Sequence, residues 1–225
     1  MPFLCLRIDL DYVPWDTPDG NEFGHGEPAL FLKLLDLARL SGDRLQFFIS
    51  SRVLRAFPST AEAVLNEGHD LDWFSKHPEE PDARYPEAAE LFQSIGHTPL
   101  GMALRGSWPE DGMVPHGMQF VSAQGTKGPP RLHFFPVETK SDREAVRAGT
   151  SARIWTDSIK AGLRETASRN RAITVCVRPQ VLAKFDPKLT HVKEILDLAR
   201  AVEYLFAHFA RPFPPQKPNW PPEDA

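Results

Sequence analysis

The feature that most constrains this chain is an alternation of short apolar runs with stretches of helical spacing. Strand-like runs are expected at Phe3–Leu10, Leu45–Ser50, His69–Trp73, Leu100–Arg105, Met118–Ser122, Leu132–Val137 and Ala172–Arg178. Runs such as Gln46-Phe47-Phe48-Ile49 and Ile173-Thr174-Val175-Cys176-Val177 are nearly continuous in apolar or β-branched residues. Strands covered on both faces, as in a parallel sheet, read this way. Between them, Leu30-Phe31, Leu34-Leu35 and Leu37-Ala38 recur at helical spacing between Pro28 and Gly42. Further helices are expected from Ser59 or Thr60 to Gly68, over Glu87–Ile95 with Pro86 near its start, over Thr150–Ser168 and over Val192–Phe209. A β-α-β order requires parallel strands joined by right-handed crossovers. Seven strand candidates in one chain of 225 residues predict a single α/β unit, a seven-stranded (β/α) barrel that is irregular or partly open. An open doubly wound sheet is the alternative, but no G-x-G-x-x-G or G-x-x-x-x-G-K-[ST] follows any strand.

The barrel is expected over residues 1–210, followed by a tail over 211–225 with six prolines between Pro212 and Pro222. With 26 basic and 30 acidic side chains the net charge is −4, which argues against a nucleic-acid partner. No apolar run reaches the roughly 18 residues of a membrane span, so no membrane partner is expected. Two cysteines, Cys5 and Cys176, lie in apolar strands and cannot form a disulfide framework. Free thiols and an opening segment without a basic leader region predict a cytoplasmic protein.

Parallel α/β folds place their chemistry at the carboxyl ends of the strands. The first strand ends Asp9-Leu10-Asp11, and a period of two puts both carboxylates on one side, where they repel unless a cation or proton intervenes. The alternative is that Asp11 caps the following loop. The third strand delivers Asp72 and His77, which beside the aspartate pair make a carboxylate–imidazole set suited to zinc or another divalent ion. His69 precedes that strand and reads as structural. Arg105 closes the fourth strand, where it can hold substrate or form a salt bridge with Asp9 or Asp72. His25, in the long connection from Asp11 to Pro28, is a further candidate ligand or proton donor. Trp15, Trp73 and Trp108 can offer a platform to a sugar ring or simply pack.

The order Ile8-Asp9-Leu10-Asp11, Leu45-Gln46-Phe47-Phe48-Ile49-Ser50 and Glu67-Gly68-His69-Asp70-Leu71 resembles the polysaccharide deacetylases, the NodB-homology or family 4 carbohydrate esterases. Gly96 to Trp108 is similar to the family's arginine-bearing segment, and Val175-Cys176-Val177-Arg178-Pro179 stands where its late histidine motif belongs. The resemblance covers about residues 4–205. It implies a divalent metal, zinc or manganese or similar, that polarises an acetyl carbonyl and activates water. It also implies Asp9 as base and Asp11 as metal ligand, with those two roles interchangeable, and Arg105 in the catalytic set. Trp73, Trp108 and Arg178 are then expected against the substrate.

The departures are as informative. The family's first metal histidine falls at Phe74, which has no donor atom, and the second at His77 only if the spacing contracts by one residue. The late histidine falls at Arg178, which does not release a proton near neutral pH. Two readings follow. In one, Asp11, Asp72 and His77 form an altered metal site that hydrolyses an acetamide-like C–N bond of a sugar-like or other small molecule. In the other, the barrel is a catalytically inactive binding protein for such a ligand.

Overall fold

The structure, a computed structural model, describes residues 3–11, 27–77, 79, 81–130, 132–168, 172–202 and 205–206. In chain order the elements are β1 (Phe3–Leu10), α1 (Glu27–Ser41), β2 (Gln46–Ser50), α2 (Ser51–Ala56), α3 (Pro58–Asn66), β3 (Asp70–Ser75), α4 (Pro81–Ser94) and β4 (Gly101–Ser107). They continue with β5 (Phe120–Gln124), β6 (His133–Val137), α5 (Asp142–Arg147), α6 (Ala152–Ser168), β7 (Ala172–Val177), α7 (Pro179–Phe185), α8 (Thr190–Ala201) and β8 (Leu205–Phe206). Trp15, His25 and the proline-rich 211–225 tail lie outside the described residues.

The strand order is β6-β5-β4-β3-β2-β1-β7, every ladder is parallel, and β8 adds two residues beside the start of β1. The seven long strands curl into a nearly closed barrel. At the seam between β6 and β7, the Thr139 hydroxyl donates to the Thr174 carbonyl at 3.1 Å. The seven-stranded (β/α) barrel expected from the alternation is therefore the observed fold.

The apolar residues divide by strand parity. One set, including Leu4, Leu6, Ile8, Phe47, Ile49, Leu71, Trp73, Met102, Leu104, Val121 and Val175, packs with the buried faces of the helices. The opposite parity fills the barrel itself with Cys5, Phe48, Phe74, Ala103, Phe120 and Phe135. Helix α1 shows why its sequence folds as expected: Leu30, Phe31, Leu34, Leu35 and Ala38 are buried at helical spacing, and Gly42 (φ 70°) ends it in a conformation that glycine adopts without strain. Helix α4 starts five residues earlier than Pro86 suggests. Pro81 stands at its first position, where a proline is pre-organised for a helix, and the exposed Pro86 lies inside the helix without ending it. The short helices α2, α5 and α7 lack the periodicity that marks longer ones; α5 is fixed instead by a capping box, in which Ser141 and Glu144 bond reciprocally. No described helix is long and apolar enough to cross a membrane.

Gly101 opens β4 against the ring of Phe120. A Cβ there would lie 2.1 Å from Cζ of Phe120. Gly101→Ala is expected to lower stability by about 1–3 kcal/mol through overpacking. Pairing it with Phe120→Leu should recover part of that loss, as read by urea unfolding of the single and double variants.

Candidate functional site

The carboxyl ends of the strands gather a layered set of charges inside and above the barrel. Deepest is Arg7, in the middle of β1. Its Nε and Nη2 donate to the two carboxylate oxygens of Asp9 at 2.7 and 3.0 Å, a contact that parity makes local because both residues face inward. Nη1 donates to the Ser122 carbonyl and hydroxyl at 3.0 and 3.1 Å, and Nη2 also to the Leu104 carbonyl at 2.9 Å. A guanidinium has five N–H donors, and all five find acceptors. Its carbon lies 5.6 Å from the Phe48 ring centre and 5.7 Å from that of Phe74, so the aromatic interior receives the charge through its ring faces.

Above Arg7, Asp9 is fully buried. It accepts from Nη2 of Arg178 at 3.0 Å and from the Cys176 thiol at 3.3 Å. Burial and the Asp9 carboxylate push that thiol far up, so it stays protonated as a donor. Arg178 continues to Asp142, the first residue of α5, which accepts its backbone N–H at 2.6 Å and faces its Nη1 at 3.5 Å. Burial raises the Asp142 carboxyl to about 7, against the pull of Arg178.

At the mouth stands Asp11. Nη2 of Arg105 donates to its Oδ2 at 2.7 Å, and Nζ of Lys76 lies 2.8 Å from its Oδ1. The ammonium approaches off the hydrogen-bonding direction, so that contact is ionic and Oδ1 receives no hydrogen bond. Burial and the guanidiniums of Arg105 and Arg143 draw Lys76 down to about 8.

The expected metal set does not assemble. Lys76 follows the end of β3, whereas Asp72 lies three residues before that end, roughly 10 Å at about 3.3 Å per residue, and beneath Phe74 on the same face. Its Oδ1 accepts the backbone N–H groups of Leu100 and Gly101 at 2.6 and 2.9 Å, and its Oδ2 accepts from the Gln46 amide at 2.9 Å. His77 is exposed and pairs with Glu79 at 3.1 Å. Phe74 is buried at the interior position where a first histidine was sought. Among the described residues no three histidine, cysteine or acidic side chains are grouped so as to hold one ion. A divalent ion would have to displace Lys76 and Arg105 from Asp11 and would find neither Asp72 nor His77 beside it, so these residues do not fit it.

The other expected residues fall as follows. Asp9, sought as a base, is sealed under two guanidiniums. Arg105 forms a salt bridge, with Asp11 instead of Asp9 or Asp72. Arg178 is buried in the Asp9–Asp142 pairing. Trp73 faces the helix layer and packs on Tyr85 with ring centres 5.4 Å apart, because its parity is that of the outward set. Trp108 is half-buried and packs against the core, whereas Trp73, besides its packing, lines the cleft between α2 and α4. His69 is structural: it is buried at the opposite end of β3 and stacks near Phe47. Sequence reasoning passed over Arg7, Lys76, Ser122 and Asp142. Arg7 had a visible signal, a charge inside an apolar strand two residues from Asp9; Asp142 had none beyond its helix-start context.

This barrel is of the type shared by polysaccharide deacetylases and family 4 carbohydrate esterases. The Puue allantoinase matches with a TM-score of 0.72 and 12% identity, over 93% of this chain and 89% of that one. The polysaccharide deacetylase of Bacillus cereus matches at 0.56 and 12%, over 91% and 90%. A CE4 family pseudoenzyme from Bacillus anthracis matches at 0.51 and 9%, over 89% of this chain and 60% of its own. No protein-family model and no curated protein matches the sequence.

Two outcomes are expected from the buried charges. Arg7→Met should cost about 3–5 kcal/mol because it removes two of the donors that compensate Asp9, whereas Arg7→Met combined with Asp9→Leu should cost less than Arg7→Met alone. Urea unfolding of both variants reads this directly. Burial raises the Asp72 carboxyl to about 7, from an ordinary value near 3.8. The native state therefore binds the extra proton, and this group's stabilisation is complete below about pH 4 and lost as pH rises through 7. Asp72→Asn should abolish that fall and match or exceed wild-type stability at pH 7.5. Its amide can meet Oε1 of a reoriented Gln46, an atom that now has no partner. Asp72→Ala should lose ~1–3 kcal/mol at either pH by stranding the Gly101 N–H.

Proposed function

We propose that this chain is a ligand-binding barrel of the deacetylase fold, in which fixed cations stand where a divalent ion would be needed, and that it holds a small polar molecule without metal-assisted hydrolysis. One observation carries the reading: both oxygens of Asp11, the acid best placed at the barrel mouth, face protonated side chains, Lys76 at 2.8 Å and Arg105 at 2.7 Å. An ammonium and a guanidinium together supply two positive charges to that carboxylate, yet neither offers an open coordination position to polarise a carbonyl or acidify water. The buried Phe74 and the sealed Asp9 agree with it: one supplies no ligand, and the other has its carboxylate occupied by Arg7, Arg178 and the Cys176 thiol. The deacetylase fold accommodates this, since a pseudoenzyme is among its structural neighbours.

A second reading, metal-dependent hydrolysis of an acetamide-like bond on a small or sugar-like molecule, draws support from neighbours that include a polysaccharide deacetylase and an allantoinase. It requires Lys76 and Arg105 to leave Asp11.

Elemental analysis separates the two. Untagged protein dialysed against equimolar zinc and manganese is expected to retain no stoichiometric ion. Phe74→His combined with Lys76→Ala should bind zinc at least tenfold more tightly than wild type, ~1.4 kcal/mol. About one equivalent of metal in the wild type, lost in Asp11→Ala, would establish the hydrolase reading instead.

A further inference from the structure

A cleft of about 430 Å³ opens beside the mouth, between the carboxyl ends of β2 and β3 and the helices α2 and α4. Its lining carries Arg52 and Arg55 from α2, Lys76 and His77 from the exit of β3, and Arg84 from α4. One acid, Glu87, also lines it, and that carboxylate is paired with Arg55 across the cleft wall. On a chain whose net charge is −4, three arginines and a lysine against one acid in the lining is a marked local reversal. The cations come from three separate elements, so they converge on a concavity rather than follow the period of one helix. Lys76 belongs both to this lining and to the Asp11 pair, which connects the cleft to the barrel mouth.

We infer that this cleft binds a phosphate monoester of about sugar size. The inference rests on the ligand-binding reading above and names the ligand's chemistry. Glu87 and Asp11 already face Arg55 and Lys76, so four cations meet two carboxylates; a phosphate monoester brings close to two negative charges and three acceptor oxygens, which matches that excess and a site of guanidinium forks and an ammonium. The volume lies within the range of small-molecule sites and exceeds what one inorganic anion fills. Ser50 and Ser51 line the same cleft and can bond hydroxyls of the ligand's organic part.

Isothermal titration of the full chain at constant ionic strength tests this with three probes: glucose 6-phosphate, inorganic phosphate and glucose. Glucose 6-phosphate is expected to bind saturably and glucose not at all. Inorganic phosphate should compete with glucose 6-phosphate while binding more weakly. Arg52 and Arg84 are exposed, so Arg52→Ser/Arg84→Ser should still unfold cooperatively in the absence of ligand, and weaken glucose 6-phosphate at least tenfold. No saturable binding of either phosphate, or wild-type affinity in the double variant, overturns the inference. Inorganic phosphate binding as tightly as glucose 6-phosphate overturns the monoester assignment in favour of the free anion. These results are independent of metal content: a resident metal would refute the reading of Asp11 and leave a phosphate-binding cleft intact, whereas a silent titration would do the reverse.

Discussion

The fork between Arg7 and Asp9 is the contact on which the barrel interior depends. Placing a guanidinium and a carboxylate in a dry interior is costly unless geometry and remaining hydrogen bonds are close to complete. Here they are, because the guanidinium reaches Asp9 on its own strand, Leu104 on β4 and Ser122 on β5 at once. The same side chain therefore ties β1 to strands on the far side of the barrel. It also determines what may stand near it: aromatic rings at Phe48 and Phe74 accept the cation through their faces, whereas a second cation at position 74 would be repelled.

From that arrangement the electrostatics of the mouth follow. Asp9 carries Arg7, Arg178 and a thiol donor, and Asp11 carries Arg105 and Lys76. Each strand-1 carboxylate is compensated by side chains of this chain, so the repulsion expected of two acids two residues apart is relieved internally. The same chemistry extends outward, where Lys76 faces both Asp11 and the basic cleft between α2 and α4. On the ligand-binding reading proposed above, these cations serve to hold an anion.

Much of the fold was legible because strands buried on both faces are written as local runs of apolar residues. The runs at Gln46–Ile49 and Ile173–Val177 fall within observed strands, and the helical stripe beginning at Leu30 marks α1. Short helices were not legible. Six residues at Ser51–Ala56 or Asp142–Arg147 are too few to show a period, and a capping box or a neighbouring strand end holds them. Within the site, the sequence showed that Asp9 and Asp11 share a face and that Phe74 and Arg178 bring no histidine chemistry. It overestimated Asp72, because nothing local reveals that its oxygens are taken by Leu100, Gly101 and Gln46 near the start of the strand.

Parity along a strand is a property of consecutive residues, so the linear chain by itself determined which side chains enter the barrel and that two carboxylates end β1. Which cation meets which carboxylate is a matter of strand order and shear, which bring Arg7 to Ser122 across 115 residues and Arg178 to Asp9 across 169. Those separations carry no local signal. Only closure of the sheet decided that Asp9 and Asp11 face arginine and lysine, with His77 left outside.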